Sequence, residues 1–99
     1  MQVIFHPEAE NDLARALEHY TKIQPALGKR FYLHIARLVD EITGNPAHFR
    51  IWRAPETRRH FRRPFPYALV FAAKPDHLRV FAVMHFKQTP DYWNHRLSN

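Results

Sequence analysis

The most informative part of this chain lies between Arg58 and Arg96 and reads RRHFRRPFPYALVFAAKPDHLRVFAVMHFKQTPDYWNHR. Two apolar runs, Tyr67–Ala73 and Leu78–Phe86, are separated by Lys74–His77, which has the composition of a tight turn. The pattern predicts two strands of an antiparallel sheet. The second is apolar on both faces, which favours an interior position. Before them, the weakly alternating segment Arg58–Arg63 is followed by proline and predicts an edge strand.

Strict alternation along the second strand assigns its side chains to two faces. One face would carry Arg79, Phe81, Val83 and His85, and the other Val80, Ala82, Met84 and Phe86. After this strand, Thr89, Pro90 and Asp91 are typical of a helix N-terminus, because threonine caps, proline fits the first turn and an acid matches the helix dipole. We therefore expect a short last helix from Pro90 to about Leu97.

Two helices are predicted before this region, after a short first strand at Val3–Phe5. The first helix begins at Pro7, because proline suits the first helical position, and Pro25 interrupts it. The second helix ends at Gly44. Apolar residues at helical spacing mark one buried face of each helix. These residues are Leu13, Ala16, Leu17 and Tyr20 in the first helix, and Leu27, Phe31, Ile35, Leu38, Val39 and Ile42 in the second.

The segment Ala47–Thr57 shows no clean period and contains Pro55, so we expect a loop there. The predicted order of elements is β-α-α-β-β-β-(α), which makes an α+β domain of residues 1–99. The two helices should form an N-terminal helical hairpin that packs on one face of a small antiparallel sheet. The other face should be partly open and should carry the arginines.

The composition is that of a small globular protein, with 99 residues and a hydrophobic fraction of 45%. No apolar run approaches the roughly 20 residues that a membrane span needs. Glu8, Glu10 and Asp12 lie where a signal peptide would be apolar. The chain has no cysteine, which excludes disulfides and thiolate metal sites. We expect a cytoplasmic protein without a membrane partner.

The net charge of +6 is unevenly distributed along the chain. Residues 1–49 hold five Lys/Arg and six Asp/Glu, for a sum of −1, whereas residues 50–99 hold ten and three, for a sum of +7. Such asymmetry indicates a surface for nucleic acid or for an acidic protein partner. A solvated edge strand that its charge keeps from aggregating is the alternative explanation.

The sequence gives little support for a metal or a cofactor, and we expect neither. The histidines are spread out and form no HExxH pair, and Gly28 and Gly44 alone cannot build a phosphate-binding loop. Tyr67 and Trp93 are aromatic residues that could stack nucleic-acid bases. We expect instead that they fold the tail against the sheet.

Five groups of residues occur in order along the chain. They are Phe5–Leu13, Leu27–Phe31, Arg58-Arg59 with Phe65-Pro66-Tyr67, Val83-Met84-His85, and Pro90-Asp91-Tyr92-Trp93 with Arg96. In this order and spacing they resemble the RelE/ParE superfamily of toxins from bacterial type II toxin–antitoxin modules, of the plasmid stabilisation type. One departure follows His85, where such proteins commonly have a small residue and two arginines, and this chain has Phe86, Lys87 and Gln88.

The resemblance implies a RelE-like fold and a growth-inhibiting toxin. It also implies a cognate antitoxin that neutralises the toxin through an acidic, partly disordered segment. Relatives either poison DNA gyrase or cleave mRNA inside the ribosome. We take gyrase binding as the expected activity and a ribosome-dependent mRNA endoribonuclease, an mRNA interferase, as the alternative. A nucleic-acid-binding module without toxicity is the third hypothesis.

A binding function assigns the contact with target or antitoxin to basic residues. These residues are Arg58, Arg59, Arg62, Arg63, Lys87 and Arg96. For RNA cleavage, His85 or Tyr92 would move protons, while Arg59, Arg63 and Lys87 would stabilise the developing negative charge. A structural role at a strand end is the other interpretation of His85. Arg96, in turn, suits the C-terminal end of its predicted helix.

Overall fold

The computed structural model describes residues 2–98 and confirms the predicted α+β architecture. The chain runs through β1 (Gln2–Phe5), α1 (Pro7–Ile23), α2 (Pro25–Gly44), β2 (Ile51–Arg53), β3 (Thr57–Phe61), β4 (Tyr67–Ala73) and β5 (His77–His85). Short 3-10 helices span Pro46–His48 and Asn94–Ser98. The predicted start of the first helix and end of the second are both correct.

Proline residues set the starts of the two α-helices. Pro7 and Pro25 lie in the first turn of α1 and α2, where a missing backbone N–H removes no helical hydrogen bond. His6 caps α1, because its Nδ1 accepts a hydrogen bond of 3.0 Å from the backbone N–H of Glu8. Gln24 lies between the helices with an extended backbone (φ −163°, ψ 129°), so the chain reverses there and forms the predicted hairpin.

The five strands described within residues 2–98 form one sheet in the order β1-β5-β4-β3-β2. Strands β2 to β5 pair antiparallel, and β1 joins the sheet parallel to β5. The interior position predicted for the second apolar run is confirmed. Strand β2 lies inside the segment Ala47–Thr57 that we expected to be a loop. The edge position predicted for the arginine-rich strand is therefore wrong, because β2 pairs with the outer side of β3. A strand of three residues such as β2 is too short to show a period in the sequence.

A bulge in β5 changes which side chains share a face. The register jumps between Val70 and Phe71 of β4, which leaves Phe81 of β5 without a direct partner. Val80 and Val83 consequently both pack toward the helices, whereas Phe81 packs on the opposite face. The strict alternation expected for β5 is therefore wrong, because one extra residue inverts the pattern beyond it.

The helices bury their predicted apolar stripes against one face of the sheet. Phe31, Leu38 and Ile42 of α2 are fully buried. They pack with Leu69 of β4 and Leu78 of β5 in the main core. Burial of a side chain of this size stabilises the folded chain by about 1.5–3 kcal/mol.

The C-terminal tail covers part of the opposite face of the sheet. Trp93 is fully buried among Val70, Phe81 and Met84, and Trp52 of β2 lies against it at 5.7 Å between ring centroids. The expected packing of Trp93 against the sheet is confirmed. The expected last α-helix is wrong, because the tail forms turns and a 3-10 helix with hydrogen bonds between residues three apart. The open part of this face is consequently smaller than predicted.

A buried ion pair holds the tail against α1. Arg96 donates from Nη1 to Asp12 Oδ2 at 2.7 Å and from Nη2 to Oδ1 at 3.3 Å. The same groups bond the edge of β5 where β1 has ended, since β1 reaches only to Val80. The backbone N–H of Val83 donates to Asp12 Oδ2 at 3.2 Å, and Arg96 Nη1 donates to the carbonyl oxygen of Phe81 at 3.0 Å. The ion pair thus satisfies backbone groups that would otherwise need another strand.

Asp12→Ala should lower the free energy of unfolding by about 3–5 kcal/mol, because it leaves the Arg96 guanidinium buried without a counter-charge. Arg15→Ala is the matched control. Arg15 contacts the same carboxylate at 2.9 Å, but its side chain is 68% exposed, so the loss should be about 1 kcal/mol or less. Urea unfolding followed by tryptophan fluorescence measures both variants. Equal losses would contradict the structural role of the buried pair.

Candidate binding surface

The arginine cluster that the sequence predicts as one surface is divided between the two faces of the sheet. Arg58 and Arg59 are neighbours in β3, and successive strand residues point to opposite faces. Nη1 of Arg58 donates to the carbonyl oxygen of Phe49 and, at 3.4 Å, to that of Ala47. Arg58 is thus tied to the segment that follows α2, on the helix side of the sheet. Arg58 therefore lies on the opposite face of the sheet from Arg59, outside the surface that carries Arg59.

Arg62, just beyond β3, is paired with Glu41 of α2. Its Nε lies 2.8 Å from both carboxylate oxygens, and His60 Nε2 lies 2.8 Å from Oε1. Arg37 approaches the same carboxylate at 3.5 Å. The hydrogen bonds from Arg62 and His60 lower the pKa of Glu41 to about 2, so the carboxylate stays charged. The charge of Arg62 is consequently matched inside the chain, although its side chain is 47% exposed.

Other basic residues of the predicted set are exposed and have no carboxylate partner in the part of the chain that the structure describes. They are Arg59, Arg63 and Lys87. The guanidinium carbon of Arg59 lies 4.5 Å from the ring centroid of Trp52, on the tail side of the sheet. This cation–π contact holds Arg59 in place without neutralising its charge.

Two exposed aromatic rings lie among these charges. Phe61 ends β3 and is 46% exposed, and Phe86 follows β5 and is 50% exposed. Their ring centroids are 5.1 Å apart, with the planes at 79°. Both rings line each of two depressions, of about 430 and 230 Å³, and Arg63 borders the larger while Arg59 borders the smaller. We call Phe61, Phe86, Arg59, Arg63 and Lys87 the aromatic–basic surface.

His85, the predicted acid–base residue, lies at the end of β5. Its ring packs edge-to-face on Tyr67, with centroids 4.9 Å apart. It lines a separate depression of about 200 Å³ together with Arg15 and His19 of α1. The backbone N–H of Lys87 donates to Nδ1 of His85 at 2.9 Å. A neutral ring bound in this way carries its proton on Nε2, so its remaining nitrogen is a donor rather than a base.

Tyr92 and Arg96 belong to the buried network around Asp12. The Tyr92 hydroxyl donates to Asp12 Oδ2 at 3.1 Å, and the Arg96 guanidinium lies 4.9 Å from the Tyr92 ring centroid. Burial, followed by the charge of Asp12, raises the pKa of Tyr92 well above its ordinary value of 10. The assignment of Arg96 to the contact surface is wrong, because this residue is only 4% exposed and paired internally.

Of the residues predicted for RNA cleavage, Lys87 adjoins His85 through its backbone N–H, but the others are not gathered in one place. Arg59 lies over Trp52 on the tail side of the sheet, His85 lines a depression beside α1, and the hydroxyl of Tyr92 is bonded to Asp12. The sequence pattern also failed to single out Phe61 and Phe86. Alternation along β3 was the available signal, because it puts Phe61 on the same face as Arg59, where an apolar side chain has no helix to pack against.

The comparison with known families agrees with this architecture. Residues 3–90 match the family model described as ParE toxin of type II toxin-antitoxin system, parDE. The chain belongs to the ParE toxin family. The resemblance to the RelE/ParE superfamily is thereby confirmed. None of the curated proteins matches the sequence.

A solved structure has the same fold as this member of the ParE family. It comes from the chromosomal ParDE TA system of P. aeruginosa and matches with a TM-score of 0.76. The match covers 88% of this chain and 97% of that chain at 17% identity. At this level of identity the likeness concerns the fold alone. Among residues 2–98, no helix is both long and apolar enough to cross a membrane.

Glu41→Gln tests the electrostatic tie between α2 and Arg62. The pKa of Glu41 is about 2 in the folded chain, below its ordinary value of 4.5. The carboxylate therefore stabilises the fold above about pH 4.5, and this contribution is lost as the pH falls toward 2. Thermal denaturation should show Glu41→Gln less stable than the wild type near neutral pH, with the difference disappearing near pH 2.

Arg37→Ala is the control for this experiment, because it removes only the longer contact of 3.5 Å with the same carboxylate. Its effect near neutral pH should be smaller than that of Glu41→Gln. If the difference in thermal stability between wild type and Glu41→Gln does not change with pH, the proposed ion pair between Glu41 and Arg62 would be contradicted.

Proposed function

We propose that this chain is the toxin of a type II toxin–antitoxin module, that it inhibits growth by binding DNA gyrase in the cytoplasm, and that a cognate antitoxin neutralises it. The observation that carries the proposal is the aromatic–basic surface, where exposed rings adjoin cations that have no carboxylate partner among residues 2–98. Aromatic and arginine side chains of this kind are common anchors in protein interfaces. The choice of gyrase follows from the family resemblance.

The hydrogen bonds and positions of the groups capable of acid–base chemistry support binding rather than catalysis. RNA cleavage needs an activated 2′-hydroxyl, a stabilised phosphate and a protonated leaving oxygen in one place. His85 has its Nδ1 bonded by the N–H of Lys87, and the hydroxyl of Tyr92 is bonded to Asp12. Arg59 lies apart from both, over Trp52. A surface that holds a partner fits these positions better than a catalytic site.

A ribosome-dependent mRNA endoribonuclease is the second candidate, and one observation favours it. His85 shares a depression with Arg15 and His19, so a proton donor lies near a cation. In this alternative the Nε2–H of His85 would donate a hydrogen bond to the leaving oxygen, and Arg15 would contact the phosphate while it also binds Asp12.

The antitoxin that we propose carries an acidic segment that becomes ordered on binding. The net charge of +6 attracts such a segment over a distance. The exposed cations Arg59, Arg63 and Lys87 then provide local partners for its carboxylates. Neutralisation would follow if the segment covers the surface that the target contacts.

Induction of the chain alone in bacteria should stop growth and produce filamentous cells with linearised plasmid, because poisoned gyrase leaves DNA breaks. His85→Ala should be as toxic as the wild type. Arg59→Glu combined with Arg63→Glu should lose toxicity, since the charge reversal weakens contact with an acidic partner by at least about tenfold. Growth curves, microscopy and plasmid gels measure these outcomes.

Lys29→Glu combined with Arg30→Glu on α2 is the matched control, because it makes the same charge change at exposed positions outside the aromatic–basic surface. This variant should remain toxic. Translation arrest with mRNA cut in the ribosomal A site, if His85→Ala abolishes both, would contradict gyrase binding and support the endoribonuclease. Normal growth on induction of the wild type would contradict both toxin activities and support the nucleic-acid-binding module without toxicity.

A further inference from the structure

The aromatic–basic surface defines the chemistry of the partner that fits it. We propose that Phe61 and Phe86 are anchor residues for an acidic peptide segment of the antitoxin. Apolar side chains of this segment enter the two depressions, and its carboxylates lie beside Arg59, Arg63 and Lys87. The inference rests on the proposed toxin–antitoxin function but does not depend on which target the toxin inhibits.

The two rings leave apolar surface exposed to water. Phe61 and Phe86 contact each other edge-to-face at 5.1 Å, yet they remain 46% and 50% exposed. Removal of such surface from water is favourable, so a partner that covers the rings gains affinity. The main core and the Trp93 cluster do not include either ring. The rings are therefore available for an intermolecular contact.

The depressions on this surface suit apolar side chains. The larger, of about 430 Å³, is bounded by Pro64, Phe65 and Pro66 in addition to the two rings. The smaller, of about 230 Å³, is bounded by Trp52 and Met84. A water molecule takes about 30 Å³, so each depression holds several waters that an apolar side chain would displace. Displacement of water from an apolar wall favours binding.

The charges around the depressions select an acidic partner. Arg63 borders the larger depression and Arg59 the smaller, and Lys87 directly follows Phe86 in the chain. The neighbouring Arg62 already binds Glu41 at 2.8 Å, so its charge does not count toward the partner. An apolar floor with a cationic rim fits a segment in which large apolar residues alternate with carboxylates.

The same geometry disfavours the two other kinds of occupant. Successive bases of single-stranded nucleic acid stack in nearly parallel planes, whereas the rings of Phe61 and Phe86 are inclined at 79°. A second copy of this chain in a symmetric contact would bring the two copies of this cationic surface together. Like charges across such a contact repel each other.

The experiment uses the purified full chain and overlapping synthetic peptides that cover the antitoxin encoded beside it. Calorimetric titration should identify a peptide that is both acidic and apolar. Phe61→Ser combined with Phe86→Ser should weaken its binding by at least about 30-fold, as expected when two anchor residues are lost. Arg63→Glu with Lys87→Glu, which keeps both rings, should weaken binding by at least about tenfold.

Leu33→Ser is the matched control, since Leu33 of α2 is 55% exposed and lies outside both depressions. It should leave the affinity unchanged. Thermal melts should show that all variants remain folded, because the substituted side chains lie outside both core clusters. Binding should also change the fluorescence of Trp52, which lines the smaller depression.

Three results would overturn the inference. The first is that the double variant Phe61→Ser with Phe86→Ser binds the peptide within about twofold of the wild-type affinity. The others are that a single-stranded oligonucleotide binds in a Phe86-dependent way and excludes the peptide, or that the chain alone dimerises in a Phe86-dependent way. Gyrase inhibition is measured separately, so a failed gyrase assay with intact peptide binding rejects the target and leaves the inference standing.

Discussion

The buried contact between Asp12 and Arg96 joins three parts of the chain that are distant in sequence. Asp12 belongs to the second turn of α1, Arg96 belongs to the tail, and both bond the backbone of β5 where β1 no longer covers it. Without this pair, the edge of β5 would expose unpaired backbone groups, and the tail would lose its buried contact with α1. The pair thus permits a short first strand and places Trp93 on the sheet.

This arrangement also determines which part of the tail face stays open. Once Trp93 and Trp52 cover the middle of the sheet, the remaining exposed rings are gathered where β3 and β5 end. Phe61 and Phe86 lie there beside Arg59 and Arg63. The aromatic–basic surface therefore stays open because the tail packs on the middle of the sheet and on α1 instead. Exposed rings beside arginines are common in protein interfaces. His85 adjoins this surface, because the backbone N–H of Lys87 donates to its Nδ1, but its ring lines the depression beside α1.

The arginines of this chain have two different roles that the net charge cannot distinguish. Arg58, Arg62 and Arg96 bond to carbonyl or carboxylate groups of the chain itself and hold elements together. Arg59 and Arg63 keep their charge toward solvent. The positive charge of a basic segment is therefore only an upper limit on the charge that is available to a partner.

The helical hairpin was predictable from the sequence because Pro7, Pro25 and Gly44 mark its ends locally, and the apolar stripes repeat over many turns. Strand β2 was not predictable, since three residues cannot display alternation. The bulge at Phe81 was not predictable either, because a single inserted residue leaves no local signal in the sequence. The role of Arg96 depends on Asp12, which is far away in the sequence, so only the tertiary structure reveals it.

The proposed mode of action requires that the chain occupy its target without chemical turnover. Titration of DNA supercoiling by purified gyrase, with this chain and with its His85→Ala variant, examines that requirement. We predict that inhibition rises with toxin and saturates at a fixed ratio to gyrase, identically for both proteins. Full supercoiling activity in the presence of excess toxin would contradict the proposal.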